Sequence, residues 1–189
     1  MNTLNMVLCG LGGQGILFMT KVLSQAALRN NRNVLGAETH GMAQRGGSVV
    51  SHLRLGDVQG SLVQTGAART VLALEENEGY RNLPFLAPGG GLFVNTASPA
   101  FPREDVKAFL HRHNIHWHSV AASTIALSLG APLSSNLALL GYFSAFGEDP
   151  FTHDELRAAV VETSPERFRE KNLTVFDAAF EKAMEEKKS

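Results

Sequence analysis

The sequence contains a single cysteine, Cys9, among its 189 residues. One thiol cannot close an intrachain disulfide, and it cannot supply the several thiolates that a structural zinc site or an iron–sulfur cluster requires. Cys9 also ends an apolar run, which indicates a buried small side chain rather than a reactive thiol. We therefore expect a chain without disulfides or bound metal that works in the reducing cytoplasm.

Charge is also scarce, since Asp, Glu, Lys and Arg make up 19% of the residues, against a usual fraction of about 25%. The 17 basic and 18 acidic residues leave a net charge of −1, without the basic excess that nonspecific nucleic-acid binding needs. No stretch approaches the roughly 18 apolar residues of a membrane span, and the first residues lack the features of a secretory signal. Hydrophobic residues at 44% nevertheless support a folded core and exclude intrinsic disorder.

Short apolar runs alternate with helical patterns along the first half of the chain. The run Leu4 to Cys9 indicates a buried strand, the apolar spacing within residues 15–29 indicates a helix, and Asn33 to Glu38 indicates a second strand. A strand, a glycine-rich turn, a helix and a strand form a βαβ unit, for which we expect parallel strands and a right-handed crossover. Further strands are predicted over residues 48–55, 71–74, 92–95 and 115–120, and further helices over 78–83, 102–112, 123–129, 136–146, 154–161 and 165–187.

These elements predict one α/β domain over residues 1–189, with a Rossmann-like, mostly parallel sheet of five or six strands flanked by helices. The C-terminal segment is predicted to be helical, and the helix over 136–146 is apolar on nearly all sides, which indicates burial. Residues 182–189 are mostly charged, and we expect them to form a frayed tail. Neither a linker nor an internal repeat interrupts the chain.

A glycine-rich turn joins the first predicted strand to the first predicted helix. Its candidate binding residues are Gly10, Gly12, Gly13, Gln14 and Gly15. Glycines permit a tight turn with positive φ and a close approach of ligand to backbone, and the helix start offers free N–H groups and a positive dipole end. The spacing is compatible with a tight packing turn, with an anion site, or with a dinucleotide site in which Glu38 would bind the ribose.

A second glycine-rich loop follows the second predicted strand, and its candidate residues are His40, Arg45, Gly46 and Gly47. A guanidinium beside donor-rich backbone suits a phosphate or a carboxylate, although Arg45 could equally form a surface ion pair. His40 is a candidate for ligand or partner contact. Both loops should lie at the carboxyl ends of neighbouring strands, which is the edge where open α/β sheets bind ligands.

The sequence shows none of the common catalytic motifs, so it identifies no catalytic residue. The sequence has no phosphate-binding P-loop and no nucleophile elbow. Four histidines occur close together, but no acidic residue or cysteine nearby completes a metal set, so we predict no metal site. They are His111, His113, His116 and His118.

Two of these segments carry a family resemblance. The turn GLGGQG at Gly10–Gly15 resembles the opening of the gamma domain of 2-oxoacid:ferredoxin oxidoreductases, and the stretch ETHGMAQRGGSV from Glu38 to Val49 resembles the indolepyruvate-type beta subunit in particular. Weaker similarity continues at Val94–Thr96, Asn136–Gly141 and Lys171–Leu173, so the resemblance runs from Leu4 to about Phe180. It implies a single gamma-type domain.

The resemblance implies a subunit of an enzyme that oxidatively decarboxylates a 2-oxoacid to an acyl-CoA and reduces ferredoxin. A larger partner subunit would hold thiamine diphosphate, Mg and the [4Fe-4S] clusters, so the isolated chain would bind none of these cofactors and be inactive. Coenzyme A would be the co-substrate, and the two glycine-rich loops would contribute to its surroundings. The stretch from His40 to Gly47 favours an aryl pyruvate, while pyruvate, 2-oxoglutarate and branched-chain acids stay open.

Two other classes of function stay open at this point. A free-standing nucleotide-binding dehydrogenase would bind NAD(P)H by itself, and a noncatalytic regulatory module would leave the enzyme active when removed. The predicted strand Ser48 to Leu55 alternates apolar and polar residues, so one side of it would face solvent or a partner. With the low charge, this predicts that the isolated chain forms a homodimer.

Overall fold

The computed structural model describes residues 3–40, 46–147 and 150–188, with only the backbone of His40. Within these residues the chain forms six strands and seven α-helices. The strands are β1 (Leu4–Leu11), β2 (Val34–His40), β3 (Ser48–Leu55), β4 (Ala68–Ala73), β5 (Leu86–Asn95) and β6 (His116–Val120). The helices are α1 (Ile16–Arg29), α2 (Glu76–Asn82), α3 (Glu104–Arg112), α4 (Ala122–Ser128), α5 (Ser135–Ser144), α6 (His153–Thr163) and α7 (Glu166–Glu186), with a 3-10 turn at Leu83–Phe85.

The strands form one sheet in the order β2-β3-β1-β4-β5-β6. Strands β1, β4, β5 and β6 are parallel, whereas β3 is antiparallel to both β1 and β2. The predicted α/β fold with a mostly parallel sheet and flanking helices is therefore confirmed. None of the described helices is both long enough and apolar enough to cross a lipid bilayer.

The expectation that β1 and β2 are neighbours is wrong, because β3 lies between them. Residues 41–47 join β2 to β3, and so few residues cannot form the crossover that a parallel pair needs, which takes a dozen or more. The chain therefore returns antiparallel to β2, and β3 fills the place beside β1. Strands β1 and β2 still run in the same direction, one strand apart.

Both faces of β3 are covered, which differs from the predicted half-exposed strand. Ser51 and Leu53 are buried on the side of α1, where the Thr20 hydroxyl donates to Ser51 Oγ at 2.9 Å. On the opposite face His52 is buried, its ring meets Phe85 edge-on, and its Nδ1 accepts the Val63 N–H at 3.2 Å. Burial lowers the pKa of His52, so the imidazole stays neutral and serves as an acceptor in the core.

Two details near the ends of elements also differ from the sequence prediction. The strand predicted over residues 92–95 begins earlier, because the glycine run before residue 92 belongs to β5, where a Cβ at Gly90 would lie 3.0 Å from the Arg69 carbonyl oxygen. Absence of a side chain there allows the two backbones to approach. The segment predicted to fray from residue 182 is helical through Glu186, whose carboxylate accepts the Tyr142 hydroxyl at 2.6 Å.

The helices after β1 and after β4 pack on opposite faces of the sheet. Helix α1 shares one apolar cluster with α5, α6 and α7, whereas α2 lies against the other cluster, where its Gly79 is close to Ala73 and Val94. Adjacent parallel strands whose helices diverge leave a crevice at their carboxyl ends, and open α/β sheets bind ligands there. In this fold that point lies between the ends of β1 and β4, beside the glycine-rich turn.

Candidate functional site

The turn after β1 is closed by a side chain of its own. The Leu11 N–H donates to Gln14 Oε1 at 2.7 Å, and the Gln14 N–H donates to the Leu11 carbonyl at 3.1 Å. A Cβ at Gly10 would lie 2.6 Å from Gln14 Oε1, so a glycine is required there for this closure. Gln14 therefore shapes the turn with its Oε1, which leaves its side-chain NH2 group for a ligand.

Helix α1 begins without a side-chain cap among the described residues. Gly15 occupies the cap position in the left-handed conformation, with φ 85° and ψ 29°. The N–H groups of the first helical turn lack partners within a helix by geometry, and they lie at the positive end of its dipole. The turn therefore offers backbone donors suited to an anion.

The second glycine-rich loop meets the first one at this edge. The Gly12 N–H donates to the Gly47 carbonyl at 2.8 Å, and Leu11 pairs with Ser48 at the start of β3. Gly46 has a positive φ of 74°. The two glycine-rich loops therefore meet, as predicted, at Gly46 and Gly47. They meet because β3, which follows the second loop, lies beside β1, and not because β2 does. Arg45 and the side chain of His40 lie outside the described residues.

A hollow of about 440 Å³ opens beside the turn. Its walls combine glycine backbone with apolar side chains: Leu11, Gly12, Gly13, Gly15, Ile16, Leu17, Phe18 and Val49. Such a site pairs backbone N–H donors with an apolar wall, so it can hold a ligand that carries both a charged group and an apolar portion.

A buried carboxylate ties the start of β3 to α2. Glu78 is only 1% exposed, its Oε2 accepts the Ser48 hydroxyl at 2.6 Å, and its Oε1 pairs with Arg81. The Cys9 thiol donates to the Glu78 carbonyl at 3.4 Å, and burial raises the pKa of that thiol well above its usual range. Cys9 is therefore a buried, protonated side chain, and its burial was predicted from the sequence.

The sequence reasoning missed Asn136 as a residue of the site. This side chain is 5% exposed at the start of α5, and its Nδ2 donates to the Gly15 carbonyl at 3.3 Å. Its Oδ1 accepts the Leu137 N–H at 2.9 Å. An amide in an otherwise apolar helix was the available signal, but its partner 121 positions away was not visible in the chain.

Three of the four clustered histidines, His111, His113 and His118, pack against aromatic rings. His118 stacks on Phe93 with centroids 4.8 Å apart, and burial lowers its pKa. His111 meets Trp117 edge-on at 5.1 Å. Within residues 3–40, 46–147 and 150–188, no group of three or more His, Cys, Asp or Glu side chains is arranged to hold a metal ion.

Glu38, the candidate ribose-binding acid, lies on β2 and is exposed. Strand β3 separates β2 from β1, so Glu38 is two strand spacings from the β1 edge, on the order of 10 Å. The dinucleotide fingerprint places that acid on the strand next to the glycine turn. The fold therefore argues against a Rossmann dinucleotide site.

Comparison with known proteins gives one consistent result. A family model described as pyruvate ferredoxin/flavodoxin oxidoreductase matches residues 5–182. The chain is 33% identical to indolepyruvate oxidoreductase subunit IorB of Methanothermobacter thermautotrophicus, over 96% of this chain and 98% of that protein.

Solved structures share the fold. The gamma subunit of a keto/oxoacid ferredoxin oxidoreductase from Geobacter sulfurreducens PCA superposes with a TM-score of 0.73 at 23% identity, covering 96% of this chain and 98% of the subunit. A 2-oxoglutarate:ferredoxin oxidoreductase from Magnetococcus marinus, with 2-oxoglutarate, coenzyme A and succinyl-CoA bound, also has a TM-score of 0.73 at 18% identity. Here 97% of the chain matches 31% of the larger polypeptide.

Proposed function

The chain belongs to the pyruvate ferredoxin/flavodoxin oxidoreductase family, and from this premise we propose that it is the small subunit of an indolepyruvate-type enzyme. The reaction is the oxidative decarboxylation of an aryl pyruvate to an acyl-CoA. The observation that carries the proposal is 33% identity to an indolepyruvate oxidoreductase subunit over nearly the full length of both chains. The resemblance at the glycine turn and at residues 38–49 agrees with it.

The single cysteine of this chain cannot hold the iron–sulfur clusters of such an enzyme. This cysteine is buried and donates its S–H to a backbone carbonyl, so this chain offers no set of thiolates to a cluster. A larger partner subunit would bind thiamine diphosphate, Mg and the [4Fe-4S] clusters and would reduce ferredoxin. The bound thiamine supplies the carbanion stabilisation that 2-oxoacid decarboxylation needs.

The role of this chain's own residues is to bind and orient coenzyme A beside the partner's reaction centre. The backbone N–H groups of Gly13 and Gly15 would receive the phosphate groups, together with the Gln14 side-chain NH2. The backbone N–H groups of Gly12 and Gln14 already donate to carbonyls of the two loops. The apolar hollow beside them suits the uncharged part of the same molecule. Gly10, Gly46 and Gly47 give the backbone the space to approach, while His40 and Arg45 are the side chains we assign to this site from the sequence.

The test of the function is an assay of the reconstituted complex. Mixed with the larger subunit, the chain is expected to support coenzyme A-dependent reduction of ferredoxin by indolepyruvate, faster than by pyruvate, 2-oxoglutarate or a branched-chain 2-oxoacid. The isolated chain should be colourless and inactive. Turnover by the chain alone, NAD(P)H binding in a titration, or full activity of the larger subunit without this chain would each contradict the proposal.

Arg45→Ala is expected to raise the KM for coenzyme A by roughly 10- to 150-fold while assembly is retained. A charge-assisted bidentate contact contributes about 1.5–3 kcal/mol, and each 1.4 kcal/mol is about tenfold. Arg45→Lys should recover little, because an ammonium cannot reproduce the planar guanidinium fork. The control is Arg112→Ala, an exposed arginine at the end of α3. Kinetics within twofold of wild type for Arg45→Ala would remove this residue from the site.

A further inference from the structure

An apolar groove runs between the α4–α5 loop and the first turns of α7. Leu133 is 88% exposed at one wall and Phe168 is 48% exposed at the other. Two adjoining hollows of about 290 and 230 Å³ share these two side chains together with Ser134 and Asn172. We call this feature the Leu133 groove.

Hydrogen bonds hold the floor of the Leu133 groove in place. The Ser134 hydroxyl donates to Asn172 Oδ1 at 3.3 Å, and Asn172 Nδ2 donates to Ser164 Oγ at 3.0 Å. The loop itself is tied back by the Ala131 N–H, which donates to the Ala126 carbonyl at 2.8 Å. Leu133 is therefore presented to solvent by a fixed loop, and exposed apolar groups of this kind mark interaction sites.

The described charged side chains at the groove are positive. The Arg167 guanidinium lies 4.6 Å above the Phe168 ring, and Lys171 is part of the lining. Neither cation has an ion-pair partner in the part of the chain that the structure describes. Among the described residues no carboxylate lines either hollow.

The two acidic residues in the first turns of α7 face away from the groove. Glu166 and Glu170 are each two residues from Phe168, which places them about 200° from it around the helix, at about 100° per residue. The groove therefore combines apolar walls with a positive rim. An occupant that complements both would carry apolar side chains beside carboxylates.

The groove is continuous with the coenzyme A site proposed above, because Phe18 lines both the hollow at the glycine turn and the Leu133 groove. We infer that an acidic, apolar segment of the larger subunit docks in the Leu133 groove, an inference that rests on the proposed function. Docking there fixes the glycine turn against the partner's reaction centre. Leu133 inserts into the partner, and Arg167 and Lys171 meet its carboxylates.

The test measures the affinity of the purified chain for the purified larger subunit. Leu133→Asp should weaken this affinity tenfold or more, because it removes an apolar anchor and adds a charge that repels the acidic segment. Lys171→Glu should also weaken it and should flatten its dependence on salt. The matched control is Leu62→Asp, a leucine 58% exposed in the loop between β3 and β4, with an expected change below twofold. Leu133 is so exposed that its substitution leaves the fold intact.

Four other results would contradict the docking inference. If wild type binds the larger subunit and Leu133→Asp binds equally well, the docking inference is overturned while the proposed function stands. The docking inference is also overturned if Leu133→Asp only raises the KM for coenzyme A, because the groove is then a ligand site. The same holds if Leu133→Asp only converts a dimer of the isolated chain to monomers. If wild type itself does not bind the larger subunit, the proposed function and the docking inference fall together.

Discussion

Gly141→Ala is expected to lower the free energy of unfolding by about 3 kcal/mol or more. A Cβ at position 141 would overlap the Phe176 carbonyl oxygen and lie 3.0 Å from the Phe176 Cα. These are backbone atoms of α7, so no side-chain rotation can relieve the contact. Helices α5 and α7 would have to move apart and open the core between them.

The measurement for Gly141→Ala is denaturant unfolding of the isolated chain. Gly36→Ala is the control, because a Cβ there would lie 3.6 Å from the His52 carbonyl oxygen, an ordinary contact, in strand β2. We expect its free energy of unfolding to change by less than about 1 kcal/mol. Equal stability of Gly141→Ala and wild type would mean that α5 and α7 are not packed as closely as the structure indicates.

Gly15→Ala is expected to lower the free energy of unfolding by about 2–3 kcal/mol and to weaken coenzyme A binding in the assembled enzyme. Two costs add at this position. The left-handed φ of 85° strains an L-residue, at about 1–2 kcal/mol, and the new Cβ would overlap Asn136 Nδ2 and lie 3.1 Å from Asn136 Cγ. Both costs act on the start of α1, where the backbone donors lie.

Two further variants separate these costs. Gly13→Ala has a similar φ of 97° but open space around its Cβ, so it should show the backbone strain alone. The double variant Gly15→Ala with Asn136→Ala removes the overlapping amide, so that only the backbone strain remains. We therefore expect its loss of free energy of unfolding to fall to that of Gly13→Ala. A double variant less stable than Gly15→Ala would place the cost elsewhere. Unfolding curves and the KM for coenzyme A are measured on all of them.

The sequence was sufficient for features that depend on near neighbours in the chain. The run Leu4 to Cys9, the glycine turn and the period of α1 predicted β1, the turn and the helix within a few residues of their bounds. Apolar residues on all sides of residues 136–146 predicted the buried α5. Periodicity and the conformational freedom of glycine are local properties, so the order of residues along the chain is enough to predict them.

The pairing of distant elements was decided by the tertiary structure. Strand β3 beside β1 places Gly47 next to Gly12, whereas the sequence reasoning placed β2 there. The contact of Asn136 with Gly15 and that of Glu78 with Ser48 join residues 121 and 30 positions apart. A side chain that is unremarkable in the chain becomes part of the site only when sheet order and helix packing bring it there. Sequence alone therefore determined the turn and its backbone donors, and the fold decided which side chains surround them, because burial and hydrogen bonding depend on neighbours in space.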